Sequence, residues 1–354
     1  MSADWRLLLD DIHEARQHFA VEEALARLVD AGHSPPTLRL RQVQPAVFVG
    51  VHQDTWSEVD VPYCQAHDIQ IVRRMNGGGA VYQEMGSFCF SAFFRRDLFS
   101  QGEGELYKLF ALPVIRTCAD YGVDAHFEGR NDVLVRKRKI YGSAQFSFYQ
   151  AFVQSGTFLV NMNFDIMERA LKPPAIKFTG KTTHSIRERV TSLSQEAQRK
   201  METREVMNRF SANVAEFLGI RLLPGELTHE ERALAAELFS AKYSTDEWNL
   251  GAQLEYQVTV ADRTEQGVIS LSVDMQNSTI QQSRITGDLL ASRRQDLDQI
   301  ELVIAGRSLQ EAQDMVKTMP FYSTDFREIM GRLLFKVEQE VTDISSARLK
   351  ERNP

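Results

Sequence analysis

Val21, Ala24, Leu25 and Leu28 recur at the i, i+3, i+4, i+7 spacing of one helical face, and the pattern ends before Gly32 and the Pro35-Pro36 pair. That spacing predicts an amphipathic helix over 18–30. Beyond the prolines the period drops to two: Leu38 and Leu40 alternate with Arg39 and Arg41, and short extended runs follow at 47–51, 69–72, 88–94, 133–135 and 158–160. A helix is expected around 104–120. Another is expected over 204–218, where Val206, Phe210, Val214 and Phe217 share a face, Thr203 is placed to cap the start and Gly219 stands just past the end. From about 252 the pattern becomes three strand-like runs, 255–260, 267–273 and 279–285, and then two helices near 308–319 and 323–341. The fold class this implies is mixed α/β, with a boundary near 240–253 and a small α+β domain after it.

Composition narrows the picture. A chain of 354 residues is long enough for two domains, and no 20–50-residue period repeats along it, which excludes a solenoid or propeller. The 41 Lys and Arg against 48 Asp and Glu leave a net charge of -7, so the chain as a whole is not an electrostatic nucleic-acid binder. No apolar run approaches the roughly 18–20 residues of a membrane span, and the opening Met1 to Arg6 lacks the layout of a signal peptide. The expected location is the cytoplasm. Cys64, Cys89 and Cys118 are widely spaced with no CxxC, which argues against a zinc site or a disulfide framework and leaves two roles open, buried small hydrophobe or nucleophile.

Three clusters carry candidate chemistry. The first, Arg73-Arg74-Met75-Asn76-Gly77-Gly78-Gly79-Ala80-Val81-Tyr82, comes straight off a predicted strand. Successive glycines let backbone N–H groups approach a ligand, and arginine supplies charge for a phosphate or carboxylate; a tight hairpin or bulge is the plainer alternative. It is neither a Walker A loop nor a dinucleotide fingerprint. The second runs from Gly129-Arg130-Asn131-Asp132 through Arg136-Lys137-Arg138-Lys139 to Gly142-Ser143-Ala144-Gln145. Four consecutive basic residues commonly make a solvated hairpin tip, yet the apolar and small residues after Lys139 turn the chain inward, so that one lysine faces a ligand and stabilises charge developing on an oxygen. The third, 176–193, is cationic and rich in hydroxyls, as a loop closing over an anion would be; His184 within it reads as a loop histidine.

Taken in order, these clusters resemble the lipoate-protein ligase A family. Its marks are an arginine-led triple glycine ending Ala-Val-Tyr/Phe, then Gly-Arg-Asn-Asp-x-x-Val with Arg-Lys-Ile-x-Gly-Ser-Ala, a Gly-Thr-Leu-like strand, and Ser-Val-Arg-x-Arg-Val-Thr. Here they stand as Arg73 to Tyr82, Gly129 to Val135, Arg138 to Ala144, Gly156-Thr157-Phe158-Leu159 and Ser185 to Thr191. The resemblance extends to Ala20-Val21-Glu22-Glu23 and to Tyr243 through Asn249.

What the resemblance implies is a biotin/lipoate ligase-like catalytic domain over 1–245 and a small accessory domain over 252–354. The implied reaction activates lipoate with MgATP to lipoyl-AMP. The acyl group then passes to one lysine of an apo lipoyl domain, in a 2-oxoacid dehydrogenase E2 subunit or a glycine cleavage H-type protein. The enzyme is expected to act as a monomer, without nucleic acid or membrane. Matched position by position, Lys139 is the catalytic lysine, Arg74, Asn76, Gly77, Gly78, Gly79 and Ala80 bind the acyl group, and Asp132 is the Mg²⁺ ligand. Tyr82, Asn131, Asp132, Lys139, Ser143, Ala144, Gly156, Thr157 and Lys181 serve the nucleotide. Four positions depart from the family pattern: Asn76 replaces its Ser, Gln83 its His, Ser87 its Asn and Ser155 the His of His-Gly-Thr. Two rival readings are an ATP-independent octanoyl or lipoyl transferase of the same fold, which carries its acyl group on a cysteine, and a catalytically degenerate paralogue that only binds lipoyl domains.

Overall fold

The computed structural model describes residues 4–100, 102–172, 185–264, 267–290, 294–319 and 324–352. Along the chain come β1 (Asp4–Leu9), α1 (Ala15–Asp30), β2 (Thr37–Arg41), β3 (Ala46–Val49), α2 (Thr55–Glu58), α3 (Val61–Ala66), β4 (Gln70–Arg73), β5 (Val81–Gln83) and β6 (Ser87–Arg95). Then follow α4 (Glu103–Asp120), β7 (His126–Glu128), β8 (Asp132–Val135), β9 (Arg138–Ser147), β10 (Ala151–Leu159), α5 (Phe164–Ala170), α6 (Leu193–Glu196), α7 (Thr203–Leu218), β11 (Arg221–Gly225), α8 (His229–Leu238) and α9 (Asp246–Asn249). The last elements are β12 (Val258–Thr264), β13 (Gly267–Gln276), β14 (Thr279–Gly287), α10 (Arg294–Ile304), α11 (Leu309–Thr318) and α12 (Thr324–Arg352). No described helix is long and apolar enough to cross a membrane.

An eight-stranded mixed sheet in the order β11-β1-β2-β6-β10-β9-β8-β7 forms the centre. Strand alternation gives it two faces. On one, Phe88, Phe90, Phe94, Tyr141 and Phe158 pack with Phe110 of α4 and Phe210 of α7 in a continuous apolar core. The opposite face lies under α1, α8 and a smaller sheet in the order β4-β3-β5, with Phe19, Phe48, Phe93 and Val153 among the packed side chains. The antiparallel sheet β12-β13-β14 has its own core with α10, α11 and α12, which includes Leu289.

Most expected elements form, with informative differences. Helix α1 forms as an amphipathic helix with Arg16, Gln17, Arg27 and Asp30 along its open stripe, but its covered side takes in charge: His18, Glu22 and Glu23 are as inaccessible as Ala24 and Leu25. Likewise Arg39 and Arg41 on β2 are buried, because α1 covers the polar face of that strand. Thr203 is the first helical residue of α7 rather than its cap, which is Glu202 without a side-chain capping bond, while Gly219 ends the helix in the left-handed conformation as expected. Three helices, not two, follow β14, because α10 also packs on that sheet. β1, β11 and α8 were not legible as elements. Their joint is a buried ion pair: Glu231, in the capping box of α8, accepts hydrogen bonds from Arg6 at 2.9 Å and from Ser34 at 2.5 Å.

Candidate active site

The β8–β9 hairpin turns at Arg136 and Lys137, both with positive φ, so these two basic residues form the solvated tip. The pairing register shifts between Val133 and Leu134, leaving Ile140 as the extra residue of a bulge. The shift carries Lys139 across Gly142: an ideal Cβ on Gly142 would stand 2.3 Å from both Cε and Nζ of the lysine. Lys139 Nζ reaches Asp132 Oδ1 at 2.7 Å, and the two side chains are 35% and 33% exposed. The cluster thus holds an ammonium and a carboxylate together, both partly exposed, with the Oδ1 that meets the ammonium itself buried. Asn131 secures the base of the hairpin, donating from Nδ2 to the Ser143 carbonyl at 2.5 Å, while its own carbonyl accepts from Ser143 N at 3.0 Å.

A second segment is fastened beside Lys139. Thr191 N donates to the Lys139 carbonyl at 2.9 Å, and Val190 forms a parallel bridge with Lys139. Thr191 Oγ1 donates to Glu196 Oε1 at 2.6 Å, and the same buried carboxylate pairs with Arg138. The end of the third cluster is therefore latched to the strand that carries the lysine. Lys181 and His184 lie outside the described residues.

The triple-glycine loop leaves β4 and enters β5. Its two arginines are tied mainly to backbone carbonyls, Arg73 also donating to Thr55 Oγ1 at 2.7 Å. Arg73 donates to the carbonyls of Gly50, Gln53 and Trp248, and Arg74 to those of Phe48, Gly77 and Gly79, so Arg74 braces the loop from behind. Burial holds both guanidinium groups down to about 10. Asn249 and Trp248 close the far side: Asn249 Oδ1 accepts from Arg73 N, and Trp248 Nε1 donates to the Arg73 carbonyl. Gly78 adopts a φ of +91°, and its N–H donates to the Leu289 carbonyl at 3.2 Å. That same oxygen would lie 1.9 Å from a Cβ on Gly77, so the turn after β14 seats directly on the loop and only glycine fits beneath it. Asn76 Oδ1 and Gln53 Nε2 are buried near this loop without a hydrogen-bond partner among the described residues.

Cross-strand partners share a face, which sorts the remaining candidates. Asp132, Gly142 and Thr157 lie in one row, with Ala144 in the next, all on the Lys139 side. Ser143 and Gly156 face the other side, where a Cβ on Gly156 would meet the Tyr141 ring at 2.4 Å and Phe90 at 2.7 Å. Tyr82 is buried in the small-sheet core and its hydroxyl donates to Glu84 at 3.3 Å. Gly79 and Ala80 are half-buried and border the loop opening.

A buried polar network, unforeseen in the sequence, adjoins the Lys139 face. Arg41 pairs with Glu22 at 2.6 Å and donates to Ser91 at 3.1 Å; Ser155 Oγ donates to Glu22 at 3.0 Å, and Ser91 also bonds that carboxylate. Arg39 pairs with Asp10 at 2.5 Å. His18 is held neutral by its burial and then by Arg41 and Arg39. The readable signal was arginine at alternate positions of an otherwise apolar strand. All three cysteines are buried and free. Burial pushes the Cys64 thiol up to about 11 and Cys118 to about 12, and raises Cys89 as well.

Residues 14–215 match the family model of the lipoyl protein ligase A/B catalytic domain. The chain belongs to this family. Among relatives of this ligase and transferase family, lipoate-protein ligase LplJ of Bacillus subtilis is 28% identical over 304 residues, covering 85% of this chain and 89% of the relative. Octanoyltransferase LipM of Symbiobacterium thermophilum is 28% identical over 273 residues, covering 71% and 99%. A lipoate-protein ligase A structure bound with ATP superimposes with a TM-score of 0.61 at 28% identity, covering 71% of this chain and 99% of that one. The family's fold is therefore that of this chain, which belongs among its ligase and transferase enzymes, and relatives named for each activity occur at 28% identity.

Proposed function

We propose that this chain is an ATP-dependent lipoate-protein ligase. The observation that carries the reading is the state of its nucleophiles. A transferase that holds its acyl group as a thioester needs an accessible cysteine with thiolate character, whereas Cys64, Cys89 and Cys118 are buried and their thiols are pushed up. The half-exposed reactive groups are Lys139 and Asp132, which suit adenylation. A lipoate carboxylate oxygen attacks the α-phosphorus of ATP and pyrophosphate leaves. The acceptor lysine amine then attacks the acyl carbon, losing a proton, and AMP leaves with the bridging oxygen.

In both steps negative charge builds on oxygen, and Lys139 Nζ supplies the fixed positive charge that offsets it. Asp132 holds that ammonium in place. Its carboxylate is also a hard oxygen donor of the kind Mg²⁺ prefers. No group of three metal-ligating side chains gathers among the described residues, so the fit is to an ion held by Asp132, nucleotide phosphates and water. The bound ion would supply charge neutralisation at the phosphates. The unpartnered Asn76 Oδ1 and Gln53 Nε2 offer an acceptor and a donor to a ligand at the glycine loop. The acceptor is a lipoyl domain of an E2 subunit or an H-type protein, and we assign the chemistry to 1–245 and an accessory role to 252–354.

Lys139→Ala tests the site. Pyrophosphate release with lipoate and MgATP is expected to fall at least about a hundredfold, with the melting temperature unchanged. Wild-type turnover in that variant would overturn the assignment.

A further inference from the structure

The four basic residues of the β8–β9 hairpin are not equivalent. Arg138 pairs with Glu196, and Arg136 stands 4.0 Å from the same carboxylate. Lys139 is held by Asp132 at 2.7 Å. Lys137 is exposed at the tip, and no carboxylate among the described residues pairs with it. The contrast holds along the chain. Lys108, Lys172, Lys242, Lys317 and Lys336 each pair with an aspartate or glutamate. Among the described side chains, only Lys137 and Lys200 therefore present an ammonium without a carboxylate partner. The tip is also built against local preference. Arg136 and Lys137 take φ of +49° and +68°, the left-handed pair of a two-residue hairpin turn for which Asn-Gly is the unstrained choice. The chain accepts that cost and keeps an amine at the apex of a turn closed by the Val135–Arg138 pair.

Two residues, at most about 7 Å of extended chain, separate this amine from Lys139. We propose that Lys137 is a self-acylation site: without an acceptor domain, the adenylate made at Lys139 acylates the chain's own hairpin tip. This rests on the ligase reading for the source of the activated acyl group. The Lys137 ammonium gives a proton to water, and the neutral amine attacks the acyl carbon. An amide C–N bond forms, the C–O bond to the phosphate breaks and AMP leaves with the bridging oxygen. Tethering on one hairpin makes the attack unimolecular, whereas an amine of another molecule must arrive by diffusion. Lys139 Nζ offsets the charge on the acyl oxygen as it does for an acceptor lysine.

The test incubates the purified full chain without acceptor, once with lipoate and MgATP and once with synthetic lipoyl-AMP. Intact mass, peptide mapping and pyrophosphate are followed, and Lys200, on the loop before α7, serves as the internal reference. One lipoyl increment is expected, on Lys137 at least about tenfold faster than on Lys200, at a rate that does not change when the protein is diluted. Lys137→Arg removes the increment and Lys200→Arg does not, with melting curves confirming that both variants fold. Equal labelling of the two lysines, a label on Lys139 instead, a rate that falls with dilution, or pyrophosphate release without an increment overturns the proposal. An increment on Lys137 from lipoyl-AMP, with neither increment nor pyrophosphate from lipoate and MgATP, sinks the ligase reading and leaves the self-acylation site standing. No increment from either source overturns the proposal, and pyrophosphate release then decides the ligase reading by itself.

Discussion

Gly142→Ala separates the position of the Lys139 ammonium from the stability of the fold. The added methyl would stand 2.3 Å from both Cε and Nζ of Lys139, where ordinary contact requires about 3.5–4.0 Å. The lysine terminus must therefore retreat by more than about 1 Å. It is a flexible side chain, 35% exposed, so the retreat costs the fold little, and exchanging strand glycine for alanine removes chain entropy from the unfolded state, contributing about 0.4–1 kcal/mol. Catalysis responds in the opposite direction. A misplacement of about 1 Å costs on the order of a hundredfold in rate, or about 2.7 kcal/mol of barrier. We expect lipoate-dependent pyrophosphate release to drop by about that factor while the melting temperature holds or rises. A variant with release within twofold of wild type would refute the claim that the position of Nζ over Gly142 matters.

Gly156→Ala is predicted to behave oppositely: its methyl meets the rigid Tyr141 and Phe90 rings, so chemical denaturation should show a loss of about 1–3 kcal/mol from a residue that does not touch the Lys139 face. A thiol reagent at pH 7.5 should label none of the three cysteines in the native chain and all three after denaturation, since each is buried with its thiol raised; rapid native labelling would reopen the thioester route. Acid should destabilise the joint between β1 and α8. Burial pushes Glu231 up, but hydrogen bonds from Arg6, Ser34 and Thr228 outweigh it and leave its pKa below the ordinary value. The stabilisation is thus present at neutral pH and is lost as pH falls from about 4.3 through the lower native value. In an acid titration of melting temperature, Glu231→Gln should be less stable than wild type at pH 7, and the gap should narrow below pH 4.

The chain's local order was readable because alternation and helical spacing are local properties. The helix over α4, the strands β2, β6 and β8, and the glycine ending α7 all follow from a few neighbouring residues. Burial of charge was not readable. Arg39, Arg41, Glu22 and His18 look like solvated positions until α1 is laid over β2 from another part of the chain. The same limit applies to the site. Lys139 stood out among four basic residues through the small residues after it, but its partnership with Asp132 depends on a bulge, and the Glu196 latch brings together residues 58 positions apart. Arg74 marks the glycine loop correctly in sequence while its side chain braces the loop from behind.

The central claim is that this chain forms an acyl-adenylate from a free acid. Its most direct measurement is the intact mass of an apo lipoyl domain after incubation with the purified chain, lipoate and MgATP, with pyrophosphate followed in parallel. The account predicts a single lipoyl mass increment that requires ATP and is matched by pyrophosphate release. The same increment from an acylated carrier without ATP would contradict it, and would place the activity with the transferases of the family.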